Sequence, residues 1–307
     1  MAIFIAPHLR VYWNLLMFKP AFSFYQHAAP GIFVLLWSTG FIGAKLGLPD
    51  AEPLTFLELR FAIVCTLLLG LSLALRRPWP TNLRQTLHIA VAGVFLHGGY
   101  LGGVFCAIHR GMPAGLVALI VGMQPLLTAL LGHRLLGEKV GAKQWLGLLL
   151  GFVGVVLVLS GKLAVAGLSA GGMALTLLAL LSITSGTLYQ KRYCGQMDLW
   201  TGSLVQFAAT GLMFIPLVLT FETMHINWSG SFFFALGWLV LVLSLGAISL
   251  LHQLIRHGAA TRVSALFYLT PPTTALLAWA VFGEQLDAAA LAGMALAAFG
   301  VALALKK

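Results

Sequence analysis

The chain is written twice, at an offset of 146 residues. Pro125, Thr128, Ala129, Leu130, Leu131, Gly137, Glu138, Gly147, Gly154 and Val155 recur as Pro271, Thr274, Ala275, Leu276, Leu277, Gly283, Glu284, Gly293, Gly300 and Val301. The register holds upstream without a gap, where Gly40 and Lys45 meet Gly186 and Lys191, and Arg110 meets Arg256. A duplicated unit can be satisfied only by a pseudo-symmetric fold, and in a membrane protein the junction of two such units is where ligand sites lie.

The duplicated unit is apolar. Hydrophobic residues make up 60% of the 307 and charged residues 8%, against roughly 25% charged in a soluble domain. The solvent of such a chain is largely lipid, so an all-α integral membrane protein is expected. The net charge of +10 comes from residues scattered over short loops rather than gathered into a basic face. That distribution excludes nucleic acid as a partner and leaves the bilayer and a small-molecule substrate. Cys65, Cys106 and Cys194 form no CxxC and read as small apolar fillers.

Ten runs approach the roughly 20 helical residues that a hydrocarbon core requires. They divide the chain into an N-terminal extension (1–29), a first five-helix unit (30–161) and a second (162–307). The extension lacks the pattern of a signal peptide, and initiation at Met1 or at Met17 fits it equally. Lys and Arg fall 14 against three on alternate sides of the runs, which places both termini in the cytoplasm. Because five is odd, the second unit then enters the membrane inverted. Inverted repeats around a central cavity underlie many alternating-access carriers.

The segment from Gly111 to Leu131, with Leu136-Gly137-Glu138 after it, resembles the fourth-span signature of EamA-type members of the drug/metabolite transporter superfamily. Trp37-Ser-Thr-Gly-Phe41 with Lys45, and Leu59-Arg60-Phe61, are similar to the first and second spans of that family. Pro271 and Gly283-Glu284 are similar to its second repeat. The resemblance covers residues 30–305. It implies ten helices, a cavity between inverted halves, and secondary transport of small metabolites across the cytoplasmic membrane, often export of amino acids or related compounds. In the sixth span the aromatic often seen in the family gives way to Leu181-Ser-Ile-Thr-Ser-Gly186.

Polar groups within the spans are few. Arg60 reads either as a clamp for a carboxylate or phosphate, or as a side chain that snorkels or pairs with Glu58 or Glu52. Its repeat partner is Gln206. His97, in mid third span, could carry a coupled proton, or sit as a neutral hydrogen-bonded ring; His252 is a weaker candidate of the same kind. Trp37, Tyr100, Gln124, Tyr189 and Tyr268 combine an apolar body with a polar tip, as metabolite pockets require, and as lipid-facing belts do too. Pro125 and Pro271 break hydrogen bonds in mid span and are candidate hinges, or fixed kinks. Glu138 and Glu284, each in a Gly-Glu pair, read as span-end caps.

Gly167-Leu168-Ser169-Ala170-Gly171 matches a nucleophile elbow in letters alone, because it falls in a loop between spans and not on a strand-to-helix turn. No Walker, HExxH or metal-ligand spacing appears, so neither cofactor nor metal is expected, and the chain reads as no enzyme. The rival is an integral-membrane enzyme acting on lipid-linked substrates, which would want acids, histidines or serines clustered at one membrane face. Here they are scattered.

Overall fold

A computed structural model of the chain describes residues 28–112, 114–160, 169–283 and 285–306. Most of the 1–29 extension, Gly167 and Leu168 of the elbow-like motif, and Glu284 lie outside the described residues. Among the described residues nine helices are long and apolar enough to cross a membrane. We number them α1 (Ala29–Gly47), α2 (Pro53–Ala74), α3 (Leu83–His109), α4 (Leu116–Leu136), α5 (Ala142–Leu159), α6 (Ala170–Tyr193), α7 (Leu199–Phe221) and α8 (Gly230–His257). After the broken segment 260–282, called α9, comes α10 (Ala288–Leu305). The described residues contain no named strand, only one isolated bridge between Ala51 and Ile226.

Local chemistry sets the ends. Pro30 and Pro53 occupy the first turns of α1 and α2, where their missing N–H costs nothing. Side chains of Asn82, Ser169, Asp198, Ser229 and Asp287 accept hydrogen bonds from the first-turn N–H groups of α3, α6, α7, α8 and α10. Gly137 and Gly283 end α4 and α9 in the left-handed region at φ 67°, the conformation glycine adopts without a Cβ penalty.

The duplication is visible in the irregularities. α4 breaks before a helix over Gln124–Leu136, and α9 passes through a 3-10 turn, Leu266–Leu269, before a helix over Thr270–Phe282. The two helices match residue for residue under the 146-residue offset. α3 and α8 each contain a π-helical stretch, Val94–Gly102 and Leu239–Ala247, which coincide to within one residue. α9, interrupted by the 3-10 turn, is not among the nine long helices found in the described residues, where ten runs are expected. Pro271 and Pro272 cannot donate to the preceding turn, so the backbone tightens there instead of continuing.

Equivalent helices cross antiparallel. Along the α5–α10 seam, a Cβ built on Gly147 would lie 2.5 Å from the Ala304 nitrogen, and one on Gly154 would lie 2.4 Å from that of Ala297. The chain ascends on one side as it descends on the other. Along α2 and α7, Leu54 meets Glu222, and Phe61 packs on Phe207 and Phe214 at ring separations of 5.4 and 5.8 Å. In lipid, where apolar burial drives little association, such close backbone approach between small residues supplies the contact. Leu212, Leu219 and Phe221 face outward, as a lipid-exposed exterior requires.

Candidate functional site

The irregular segments converge. The π-helical stretch of α3 carries His97 and Tyr100, that of α8 carries Leu243 and Ser244, and the breaks in α4 and α9 carry Gln124, Thr270 and Pro271. π-segments concentrate at functional sites because the widened turn re-aims side chains. Together with Trp37 of α1 and Arg60 of α2 they enclose a central cavity of two lobes. One lobe is bounded by Trp37, Tyr100, Gln124, Phe267, Thr270 and Pro271. The other is bounded by Trp37, Arg60, His97, Tyr100, Leu239 and Leu243. Each has a volume of about 70 Å³, below the roughly 300 Å³ at which metabolite-sized pockets begin. A whole ligand therefore needs the helices to part.

Arg60 is 3% exposed, and its hydrogen bond within the protein runs from Nε–H to Ser244 Oγ at 3.0 Å. Ser244 Oγ in turn donates to the Leu239 carbonyl at 3.1 Å. Neither Glu58 nor Glu52 pairs with Arg60, so the snorkelling and ion-pair readings both give way. Glu58 lies against Gly211 of α7, because positions two apart on a helix do not share a face. Glu52 accepts from the N–H and Oγ1–H of Thr223 instead. His97 is buried and stacks on Phe207 at 4.3 Å and 15°. It lies beside Gln206, yet neither ring nitrogen reaches hydrogen-bond geometry with a protein group. Gln124 Nε2 donates to Thr128 Oγ1 at 3.2 Å, while its Oε1 is buried without a partner.

The structure thus brings Trp37, Arg60, His97, Tyr100, Gln124 and Pro271 around one space and sets five other candidates apart. Pro125 starts the helix behind Gln124. Tyr268 covers Gly151 of α5, whose Cβ would sit 2.6 Å from the ring. Gln206 donates to Gln190 Oε1 at 2.7 Å. Tyr189 bonds His88 Nδ1 at 2.7 Å near the end of α6. His252 contacts Ser203 at 3.3 Å, away from the cavity wall. Phe267, Thr270 and Ser244 were missed by sequence reasoning. Only the repeat register, which pairs Thr270 with Gln124 and Ser244 with Gly98, carries any signal for two of them.

Two clasps flank the cavity. At one end the Glu138 carboxylate accepts from the N–H groups of Ala260 and Thr261, at 2.6 and 3.1 Å, and from Thr261 Oγ1 at 3.0 Å. Lys191 Nζ donates to the Arg256 carbonyl beside it, and Arg256 to that of Met197. At the other end Glu222 accepts from Leu54 N–H, Thr55 N–H and Thr55 Oγ1 at 2.6–2.8 Å, and Asp50 accepts from Asn227 and Ser229. A larger groove of about 530 Å³ lies between α3, α6 and α7. Its walls include the exposed Leu178 and Phe221 together with Glu52, His109, Arg110 and Glu222, none of them buried.

The chain is 28% identical over 271 residues to YedA of Escherichia coli K12, described as an uncharacterized inner membrane transporter, covering 88% of this chain and 87% of that one. It is 27% identical over 275 residues to the transporter YvbV of Bacillus subtilis, with 88% of each covered. A probable amino-acid metabolite efflux pump of Escherichia coli K12 is 31% identical over 159 residues, which is 52% of this chain and 51% of that protein. A solved crystal structure superposes with a TM-score of 0.73 at 22% identity, covering 90% of this chain and 94% of the other, and so shares the fold. The profile of the EamA-like transporter family matches residues 32–160 and 170–306, one match in each copy of the repeat. The chain belongs to the EamA-like transporter family.

Proposed function

We propose that this protein is a secondary transporter that exports small metabolites, amino acids or related compounds, across the cytoplasmic membrane by alternating access. In this reading α9 is a tenth crossing, the two five-helix units (30–161 and 162–307) are inverted, and both termini lie in the cytoplasm. The observation that carries it is the composition of the cavity wall. α1, α3 and α4 of the first unit and α8 and α9 of the second meet there, at the irregular segments that the repeat places in register. The antiparallel crossings of α5 with α10 and α2 with α7 support the inversion.

Arg60, His97, Trp37, Tyr100 and Gln124 contact the substrate in this reading, and Pro125 and Pro271 are the hinges. The two clasps alternate, one released while the other holds. The described carboxylates are spent on helix caps and clasps or packed between helices, which leaves a lipid-linked enzymatic chemistry without acids. The test is reconstitution: proteoliposomes loaded with an unlabelled metabolite accumulate its labelled form by exchange. Flux no higher than in protein-free vesicles across an amino-acid and organic-acid panel overturns the reading. Proton linkage in this reading acts through His97, and the variant His97→Gln is expected to lose uptake driven by a pH gradient by a larger factor than it slows exchange.

A further inference from the structure

Eight acidic residues stand in the chain, and seven are described. Six of those have their oxygens engaged away from the cavity. Asp50 meets Asn227 and Ser229, Glu52 meets Thr223, Glu222 caps α2, and Glu138 caps the start of α9. Asp198 pairs with Arg77 at 3.0 Å, and Asp287 caps α10. The seventh, Glu58, is turned to α7 against Gly211. None lines either lobe. Arg60 is therefore a buried cation on a cavity wall with a neutral serine as its protein partner.

A guanidinium out of water is stable only with compensating charge. Its planar fork matches a carboxylate. For an ammonium the same cavity offers neutral acceptors, Gln124 Oε1 and the His97 ring, and no carboxylate. The aromatic residues do not form an open cation cage either. Trp37 is packed against Phe33 and Phe267 with ring centroids 5.3 Å from each, and Phe33 and Phe267 lie 5.4 Å apart. The remaining surface is apolar: Val104, Leu239, Leu243 and the edges of these rings.

We propose that the central cavity selects organic monoanions, a carboxylate on an apolar or aromatic body, over the zwitterionic amino acid of the same skeleton and over the corresponding amine. The carboxylate engages Arg60, with Ser244 holding the guanidinium in place, and the body lies against Trp37, Tyr100 and Phe267. A zwitterion leaves its ammonium without a counter-charge, and an amine meets the like charge of Arg60. This inference rests on the cavity being the transport site, and it narrows the class of cargo to the deaminated relatives of amino acids.

Direct binding to the detergent-purified full chain tests it, by calorimetry and thermal shift. The probes are three skeletons, those of leucine, phenylalanine and tryptophan, each as its deaminated carboxylate, its α-amino acid and its decarboxylated amine. At least one carboxylate is expected to bind about tenfold tighter than its amino acid, a difference of about 1.4 kcal/mol, with no binding by the amine. Arg60→Gln, which installs the residue of the repeat position Gln206, is expected to lose that preference at an unchanged melting midpoint. Arg60→Lys, which keeps charge but not the fork, should retain part of it. An amino acid or amine that binds as tightly as its carboxylate overturns the inference while leaving transport standing, as does unchanged selectivity in a folded Arg60→Gln. Binding by none of the nine compounds overturns it as well, and absence of flux across the broader panel separately overturns the transport reading. Should Arg60→Gln fail to fold, the order of the three charge forms on the unaltered protein decides.

Discussion

At the scale of single residues, the clasps rest on carboxylates that cap helices belonging to the other half of the fold. Glu138 satisfies two N–H groups at the start of α9 from the end of α4. Truncation to Ala leaves those donors bare next to the Thr261 hydroxyl, and the variant Glu138→Ala is expected to lose about 1–2 kcal/mol, read as a lowered melting midpoint. At the opposite end the Ser229 hydroxyl, aided by Asn227 and Ser231, holds the Asp50 carboxyl below the usual range, and Thr223 does the same for Glu52. A depressed value means that the contribution is complete above the ordinary carboxylate pKa and is lost as pH falls through the lowered one. The melting midpoint should therefore stay level from pH 7 down to about 5 and drop below roughly pH 4. The double substitution Asp50→Asn with Glu52→Gln should flatten that acid limb. Sequence alone marks Arg60 and Glu138 as notable because charge is rare in such a chain, and Trp37 because it opens the stretch Trp37-Ser-Thr-Gly-Phe41. It does not reveal that Arg60 turns to Ser244 rather than Glu58, because that choice depends on which neighbour each helix face meets.

At the scale of elements, glycine decides which helices touch. A methyl group on Gly154 would press on backbone atoms of Ala297 and Gly293 that have no freedom to yield. Gly154→Ala should cost about 1–3 kcal/mol by overpacking. Gly70 has open space within 4 Å, so Gly70→Ala is expected to be neutral or stabilising by up to about 1 kcal/mol. Paired thermal unfolding of the two variants checks the contrast. The small-residue spacing at Gly147 and Gly151 is legible in the sequence, and so are the breaks at Pro125 and Pro271. The partner of each glycine face is not, because spacing says that a helix can be approached closely and not by which other. The π-stretches were equally hidden. No residue type demands a π-turn, and it arises where the packing of α3 and α8 re-registers their side chains.

At the scale of the whole molecule, the 146-residue offset already contains most of the architecture. In the proposed ten-span reading, two copies of an odd number of spans are inverted, and the antiparallel crossing of equivalent helices supports it. Reporter fusions at the two termini are expected to give a cytoplasmic signal at both; opposite signals would remove the inverted arrangement and the transport proposal with it. The offset does not show how the halves differ. Gly99 and Gly102 of α3 stand where α8 has Leu245 and Ile248, and Arg60 stands where α7 has Gln206. The copies share a backbone plan, but the charge belongs to one of them.

The seam between α5 and α10 has a mechanical corollary. Backbones in mutual contact at Gly147, Gly151, Gly154, Gly293 and Gly300 leave no side chains to slide past one another. In the proposed alternating-access cycle such a joint is the fulcrum, and rocking about it is taken up by the other helices. Covalent tethering of α5 to α10 through side-chain-bearing positions that flank these glycines should then leave exchange running at its native pace. The same tether between residues 55 and 222 should jam it.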